Sequence, residues 1–298
     1  CEIKNGGYIV GGILEDNIIE LENGMILGNK GNSNTSDGML LKYSENGDVE
    51  WAKTVGGTND DQINSVSETS DGGFIGCGYF RSSSISLENG VNIYNHASDG
   101  TSDGMLIKYN SRGVPQWARV IGGSRGDYIY SAEETTDGGY LVGGVFESNS
   151  ISLGNGVSLT NTSTVESNVY PTDGMIIKYA SNGEVEWTQE IGGTKDDYII
   201  SIAETNDGGY VAVGYFNSSS IELENRVTLR NRYLDSYVGM VLKYNLHGEL
   251  EWAKTTGDGR SGYINNVKKT INAGKTYTVD FGYDANSGFI VAVGIVAK

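Results

Sequence analysis

Apolar and polar positions along the chain alternate in short runs. Ile63 to Thr69, Ile129 to Thr135 and Ile199 to Thr205 each alternate; in the first, Val66 and Glu68 share one face and Ser65 and Ser67 the other. A period of two predicts half-buried β-strands. Each run leads into Asp-Gly-Gly, at 71–73, 137–139 and 207–209, and then into a second run: Phe74 to Phe80, Tyr140 to Phe146 or Tyr210 to Phe216. Asp-Gly between two alternating runs predicts a hairpin, because its residues accept the positive φ angles of a tight turn. No long stretch has helical periodicity, so the chain reads as all-β.

The runs belong to a larger repeat. A third strand, Met105 to Tyr109, and a fourth, Pro115 to Val120, are joined by Asn110-Ser111-Arg112-Gly113, and the glycine recurs as Gly47, Gly183 and Gly248. Asp-Gly-Met opens the third strand at 37–39, 103–105 and 173–175, with Gly239-Met240 in the fourth copy. The tryptophans of the last strand, Trp51, Trp117, Trp187 and Trp252, stand 66, 70 and 65 residues apart. The repeats fall at 1–57, 58–123, 124–193 and 194–260, and 261–298 forms a partial blade or closing strands. Four antiparallel strands per repeat, with turn glycines at fixed places, predict a β-propeller of four to five blades. In the tail, Tyr263 to Thr270 matches a first blade strand; it is expected to pair with the tail's own strands as an incomplete fifth blade.

Between the second and third strands lie inserts at 13–36, 81–102, 147–172 and 217–237. Ile85, Leu87, Val91 and Ile93 fall on one face around Asn89-Gly90, which predicts a small hairpin laid on the blade. In the fourth copy Arg226 replaces the glycine; a wider or less ordered turn is expected there, because arginine is strained at positive φ. The hairpin is expected to be dispensable for folding.

Trp-x-x-x-x-Gly-Gly-x-x-x-Asp, a strand, Asp-Gly-Gly-Tyr, a Gly-rich strand, a Ser-rich insert and Asp-Gly-Met-x-x-Lys-Tyr-x-x-x-Gly together resemble the bacterial β-propeller repeats of the SBBP type, over residues 1–260. The resemblance implies a secreted or surface-attached bacterial protein and no uniform activity. The chain departs from the usual form in its Asp-Gly-Gly-Tyr and in its ending.

Charge and chemistry narrow the function. A formal charge of −17 disfavours nucleic acid and anionic membranes, which attract basic surfaces, and no apolar run is long enough to insert in a membrane. Cys77 stands where siblings carry Gly or Val, as a small buried thiol. His96 and His247, the two histidines, occupy non-equivalent loops, which excludes a histidine triad or histidine metal site within this chain. Asp60-Asp61 and Asp196-Asp197 read as turn-forming rather than calcium-binding, and Arg125-Gly126-Asp127 as the equivalent scaffold loop; no cofactor is implied. Residues in every copy read as scaffold: Lys42, Lys108, Lys178 and Lys243, the tryptophans, and Glu68, Glu134 and Glu204, with the lysines and glutamates expected to pair. Aromatic and arginine side chains in the variable inserts, Tyr94, Tyr170, Arg230, Arg232, Tyr233 and Tyr237, read as the binding surface. The function expected is a non-catalytic binding or spacer module for a protein or glycan. The alternative is a glycan-active hydrolase or lyase using acids from several blades, with Asp16, Asp99, Glu147, Glu166 and Asp235 as the singular acids.

Overall fold

A computed structural model describes residues 1–31, 34–97, 100–162, 170–233, 236–256, 262–269, 276–282 and 292–296. The chain divides into two compact units, Cys1–Glu134 and Thr135–Lys298. The described residues form antiparallel strands and two short 3-10 turns. In the first unit, Tyr8–Leu14, Asp37–Tyr43 and Val49–Val55 make a three-stranded sheet; Asp61–Glu68, Phe74–Phe80, Asp103–Tyr109 and Pro115–Ile121 make a four-stranded one, paired in that order. In the second unit, Asp197–Glu204, Tyr210–Phe216, Val238–Tyr244 and Leu250–Thr255 repeat the four-stranded sheet. These are blades of the β-propeller class, four to five in number. The tail strand Tyr263–Lys269 pairs with Thr276–Gly282, and that strand with Ala292–Val296. Tyr8–Leu14 forms one edge of its own sheet.

Neighbouring sheets within each unit pack through glycines. A Cβ on Gly11 would lie 2.6 Å from Ile63 Cγ2, and one on Gly104 2.7 Å from Ile129 Cγ1; in the second unit Gly143 meets Ile202 at 2.7 Å and Gly174 meets Ile199 at 2.8 Å. Ile63, Ile129 and Ile199 are wholly buried there. The glycine of Asp-Gly-Met and the glycines of the second strand are thus the sockets for the next sheet's isoleucines. Close packing without voids is the main stabilising term of such a stack.

The repeated lysines and glutamates do not pair with each other, as their co-recurrence suggested. Lys108 Nζ reaches Asp71 Oδ2 at 2.9 Å, and Lys178 Nζ reaches Asp137 Oδ2 at 2.9 Å and Glu186 Oε2 at 3.0 Å. Lys243 pairs with Asp207 at 3.2 Å and Glu251 at 3.1 Å, and Lys42 with Glu50 at 2.6 Å. For Lys108, Lys178 and Lys243 the shared partner is the aspartate of Asp-Gly-Gly, because the hairpin turn folds back over the strand that carries the lysine. Each ammonium of Lys108, Lys178 and Lys243 also donates to the next residue's carbonyl. The glutamates serve the turn of the preceding repeat. Glu68 accepts from Lys4 N at 2.8 Å, Glu134 from Ser70 N at 2.5 Å, and Glu204 from Thr136 N at 3.1 Å and its hydroxyl at 2.7 Å. Burial would raise the Asp71 carboxyl, but the Thr69 hydroxyl, Lys108 and the Gly73 N–H hold it at about 2. Asp137 and Asp207 lie below the usual carboxylate range, where bonds from the matching threonine hydroxyl, lysine and glycine N–H outweigh burial.

The tryptophans line the outer strand. Trp51 meets Phe74 edge-on at 5.8 Å, and Trp187 packs on Tyr210 at 5.4 Å. The turn glycines Gly113 and Gly248, at φ +72 and +78, sit on the rings of Trp51 and Trp187. Cys77 is buried as a free thiol, and burial pushes its pKa upward.

Candidate functional site

Each described insert is a two-stranded hairpin: Ile18–Glu20 with Ile26–Gly28, Ser84–Ser86 with Asn92–Tyr94, Ser150–Gly154 with Val157–Thr160, and Ser220–Glu222 with Thr228–Arg230. The hairpins are not loose decoration, and their packing speaks against the expectation that one is dispensable for folding. Ile85 and Ile93 join the first unit's core, and Ile221 and Leu229 the second's, all under 6% exposed. The fourth turn is also no wider than its siblings. Glu224–Arg226 forms the same 3-10 turn as Glu88–Gly90, with Arg226 held at φ +61. Asn225 Nδ2 donates to Leu250 O at 3.2 Å, and Leu223 N to Val227 O at 2.8 Å; these bonds fix the turn whatever residue stands at 226.

Buried aspartates anchor the inserts. At the entrance, Asp61 accepts from Arg81 N at 3.0 Å, Ser82 N at 3.1 Å and Ser82 Oγ at 2.7 Å. Asp197 does the same with Asn217 N at 3.1 Å, Ser218 N at 3.1 Å and Ser218 Oγ at 2.6 Å. Burial pushes Asp61 up to about 6 and Asp197 up to about 7, against the pull of these hydrogen bonds. The acidic loops are therefore turn-forming. Among the described residues no group of three or more His, Cys, Asp or Glu could hold a metal. Asp127 of Arg125-Gly126-Asp127 is wholly buried and accepts from Gly123 N at 2.8 Å, so its carboxylate is not presented to a partner.

At the exit, an asparagine crosses the insert's base. Asn95 Nδ2 donates to Phe80 O at 2.9 Å and Thr101 O at 3.0 Å. Asn231 Nδ2 donates to Ser236 O at 2.7 Å, while its Oδ1 accepts from Tyr233 N at 2.9 Å. Asn231 is buried and its neighbours Arg230 and Arg232 are exposed. The buried asparagine thus turns both arginines outward.

Arg230, Arg232 and Tyr233 come together. They line a cleft of about 410 Å³ with Lys254, above a floor of Leu229, Val238 and Ala253. Among the described residues, no carboxylate lies within ion-pair distance of Arg230, Arg232 or Lys254. This cleft is lined by cations, not acids. Lys254 was not visible in the sequence as a site residue, because it lies two positions after the repeated Trp252 in an outer strand.

The other candidates lie elsewhere. Tyr94 is 63% exposed on the second insert, and Tyr170 is half-buried. Tyr237 packs with Tyr198, Tyr215 and Tyr263, at centroid separations from 5.3 to 6.1 Å. That cluster is half-buried packing, in which burial raises Tyr215 to about 12. His96 Nδ1 stands 3.3 Å from Asp103, and His247 is held by its backbone to Asn245. Of the singular acids, Asp99, Glu166 and Asp235 lie outside the described residues.

No family model matches the chain. An uncharacterized WD repeat-containing protein of Acanthamoeba polyphaga mimivirus is 26% identical over 244 residues, which is 74% of this chain and 17% of that relative. A protein of unknown function from Bacteroides caccae, known from a crystal structure, matches 73% of this chain and 90% of its own at 11% identity. Its TM-score of 0.22 carries no inference. The WD-repeat relative and the repeated sheets make this a β-propeller-like repeat protein. No helix among the described residues is long and apolar enough to cross a membrane.

Proposed function

We propose that the chain is a non-catalytic binding module of a secreted or surface-attached bacterial protein, of the SBBP type, and that it contacts a protein or glycan through its inserts. One observation carries this reading. The four-stranded sheets repeat residue by residue, whereas the insert of the fourth repeat gathers Arg230, Arg232, Tyr233 and Lys254 around a cleft on a rigid, core-anchored hairpin. Arginine and tyrosine presented on a fixed scaffold are the material of recognition surfaces, since little side-chain and loop entropy is lost on binding. The cationic lining favours binding over carboxylate catalysis at this place.

The test is a screen of the full chain against immobilised glycans and against washed bacterial envelopes. It is repeated with Tyr94→Ala in the second insert and with Arg232→Gln in the fourth. The expected outcome is capture by a restricted set of targets that weakens in at least one insert variant while the circular dichroism spectrum is unchanged. Binding to neither target, or binding indifferent to every insert change, overturns the reading.

A further inference from the structure

In three repeats the insert returns to its sheet through the same bond. The backbone N–H after the insert's asparagine donates to a buried aspartate at the head of the third strand. Lys30 N reaches Asp37 Oδ2 at 2.7 Å, His96 N reaches Asp103 Oδ2 at 2.6 Å, and Thr162 N reaches Asp173 Oδ2 at 2.9 Å. The fourth repeat has Val238 in the aspartate's place, and among the described residues nothing accepts from Arg232 N. A second position changes with it. Gly56, Gly122 and Gly192 follow the fourth strand, and a Cβ on each would lie 2.2, 2.3 and 2.2 Å from that aspartate's Oδ1. With Val238 the crowding is gone, and Thr256 occupies the position, its N–H donating to Gly239 O at 2.8 Å.

The charge around Val238 is more positive than at the sibling positions. The positions of Arg230, Arg232 and Lys254 are Gly28, Lys30 and Lys53 in the first repeat, where Lys53 is held by Glu88 at 2.6 Å. In the third they are Thr160, Thr162 and Gln189, and Thr162 Oγ1 is tied to Glu190 at 2.6 Å. The fourth repeat alone loses the internal aspartate, while presenting three cations and a backbone N–H that have no carboxylate partner among the described residues.

We propose that this cleft binds the carboxylate of a uronic acid unit in an otherwise neutral glycan, the ligand supplying from outside, above Val238, the negative charge that Asp37, Asp103 and Asp173 supply internally in the sibling repeats. The inference rests on the insert-binding reading above. Arg232 supplies its N–H and its guanidinium, a donor set suited to a carboxylate's two oxygens. Arg230 and Lys254 close the other sides as charge partners. The half-buried Tyr233 and the exposed Thr255 also line the cleft, side chains of the kinds that meet a pyranose ring and its hydroxyls. A volume of about 410 Å³ accommodates a small saccharide. The −17 charge of the chain repels a dense polyanion, so a sparsely charged glycan fits and nucleic acid or a heavily sulfated chain does not.

The full chain is titrated calorimetrically with a galacturonate disaccharide and with the matching galactose disaccharide. The acidic sugar is expected to bind, the neutral one at least about tenfold more weakly, and the difference to shrink with added salt. Arg232→Gln and Lys254→Gln each weaken the acidic sugar by about tenfold. The decisive variant is Val238→Asp with Thr256→Gly, which rebuilds the pair that three siblings already tolerate and therefore folds; it sets an internal carboxylate under the cations and abolishes binding. Equal binding of the two sugars, undiminished binding by the double variant, or a peptide ending in a free carboxylate binding as well as the sugar overturns the proposal. Absence of galacturonate binding while a screened target still depends on Tyr94 also overturns it, and leaves the insert reading standing; absence of both removes both.

Discussion

Lys178→Met removes a wholly buried ammonium from the centre of its turn. Lys178 donates to Asp137 Oδ1 at 3.2 Å and Oδ2 at 2.9 Å, to Tyr179 O at 3.1 Å and to Glu186 Oε2 at 3.0 Å. Breaking a fully buried ion pair costs about 3–5 kcal/mol. Here the two carboxylates are 52% and 43% exposed, so they rehydrate when the cation leaves, and the attraction they lose is partly screened already. The buried Tyr179 carbonyl loses one donor. Methionine fills the stem's volume, so no cavity term is added. The net is about 2–3 kcal/mol, which for a unit of about 150 residues lowers Tm by about 5–10 °C. Lys42→Met is the internal comparison: its ammonium has the single carboxylate partner Glu50 and is 17% exposed, and its loss is expected to cost under about 1 kcal/mol. Calorimetric melts of both variants, with Asp137→Asn added to Lys178→Met to close a double-mutant cycle, measure the difference. A Tm shift below about 1 °C for Lys178→Met, or an equal shift for Lys42→Met, refutes the burial reasoning.

Two further outcomes follow from the carboxylates and the turns. Asp61 and Asp103 are raised to about 6 and Asp197 to about 7, chiefly by burial; the folded state therefore holds protons that the unfolded chain releases at ordinary carboxylate pKa, and stability is lost as pH rises from about 4 through 7. Asp71, Asp137 and Asp207 run oppositely, losing their contribution as pH falls below about 4. Urea midpoints are thus expected to be higher at pH 5 than at pH 8 and to fall again below pH 3, and a midpoint that climbs steadily from pH 5 to 8 contradicts the assignment. Arg226→Gly is expected to stabilise by about 0.5–1 kcal/mol, because the turn already holds φ +61 where siblings carry glycine; a lower urea midpoint would contradict it.

The blades were legible because their causes are local: alternation, Asp-Gly-Gly and the turn glycines each act over a few residues. The lysine's partner was not. Lys178 and Asp137 are 41 positions apart, and recurrence in every repeat names candidates without saying which face each presents. Arg230, Arg232 and Tyr233 stood out as singular residues of a variable insert. Lys254 did not, because Lys53 and Arg119 occupy its position in sibling strands, and the lack of a carboxylate partner for it among the described residues is a property of three dimensions. The missing aspartate was in plain view as Val238-Gly239-Met240 against three copies of Asp-Gly-Met; its meaning needed the bond that Asp37, Asp103 and Asp173 make. Tyr237 was drawn into a tyrosine cluster by residues from three other strands, which no local pattern discloses.

The aspartate and the glycine behind it impose an order on how such a repeat can diverge. A side chain at the glycine position of a sibling repeat would sit 2.2 to 2.3 Å from the aspartate's carboxylate oxygen, so threonine cannot arrive first. Valine can replace the aspartate while the glycine remains, giving up one hydrogen bond from the insert and leaving slack that a later threonine takes up. If the copies arose from one duplicated unit bearing Asp and Gly, the route to Val238 and Thr256 therefore passes through Val-with-Gly. It also works as a ratchet: once Thr256 is in place, aspartate cannot return by a single substitution.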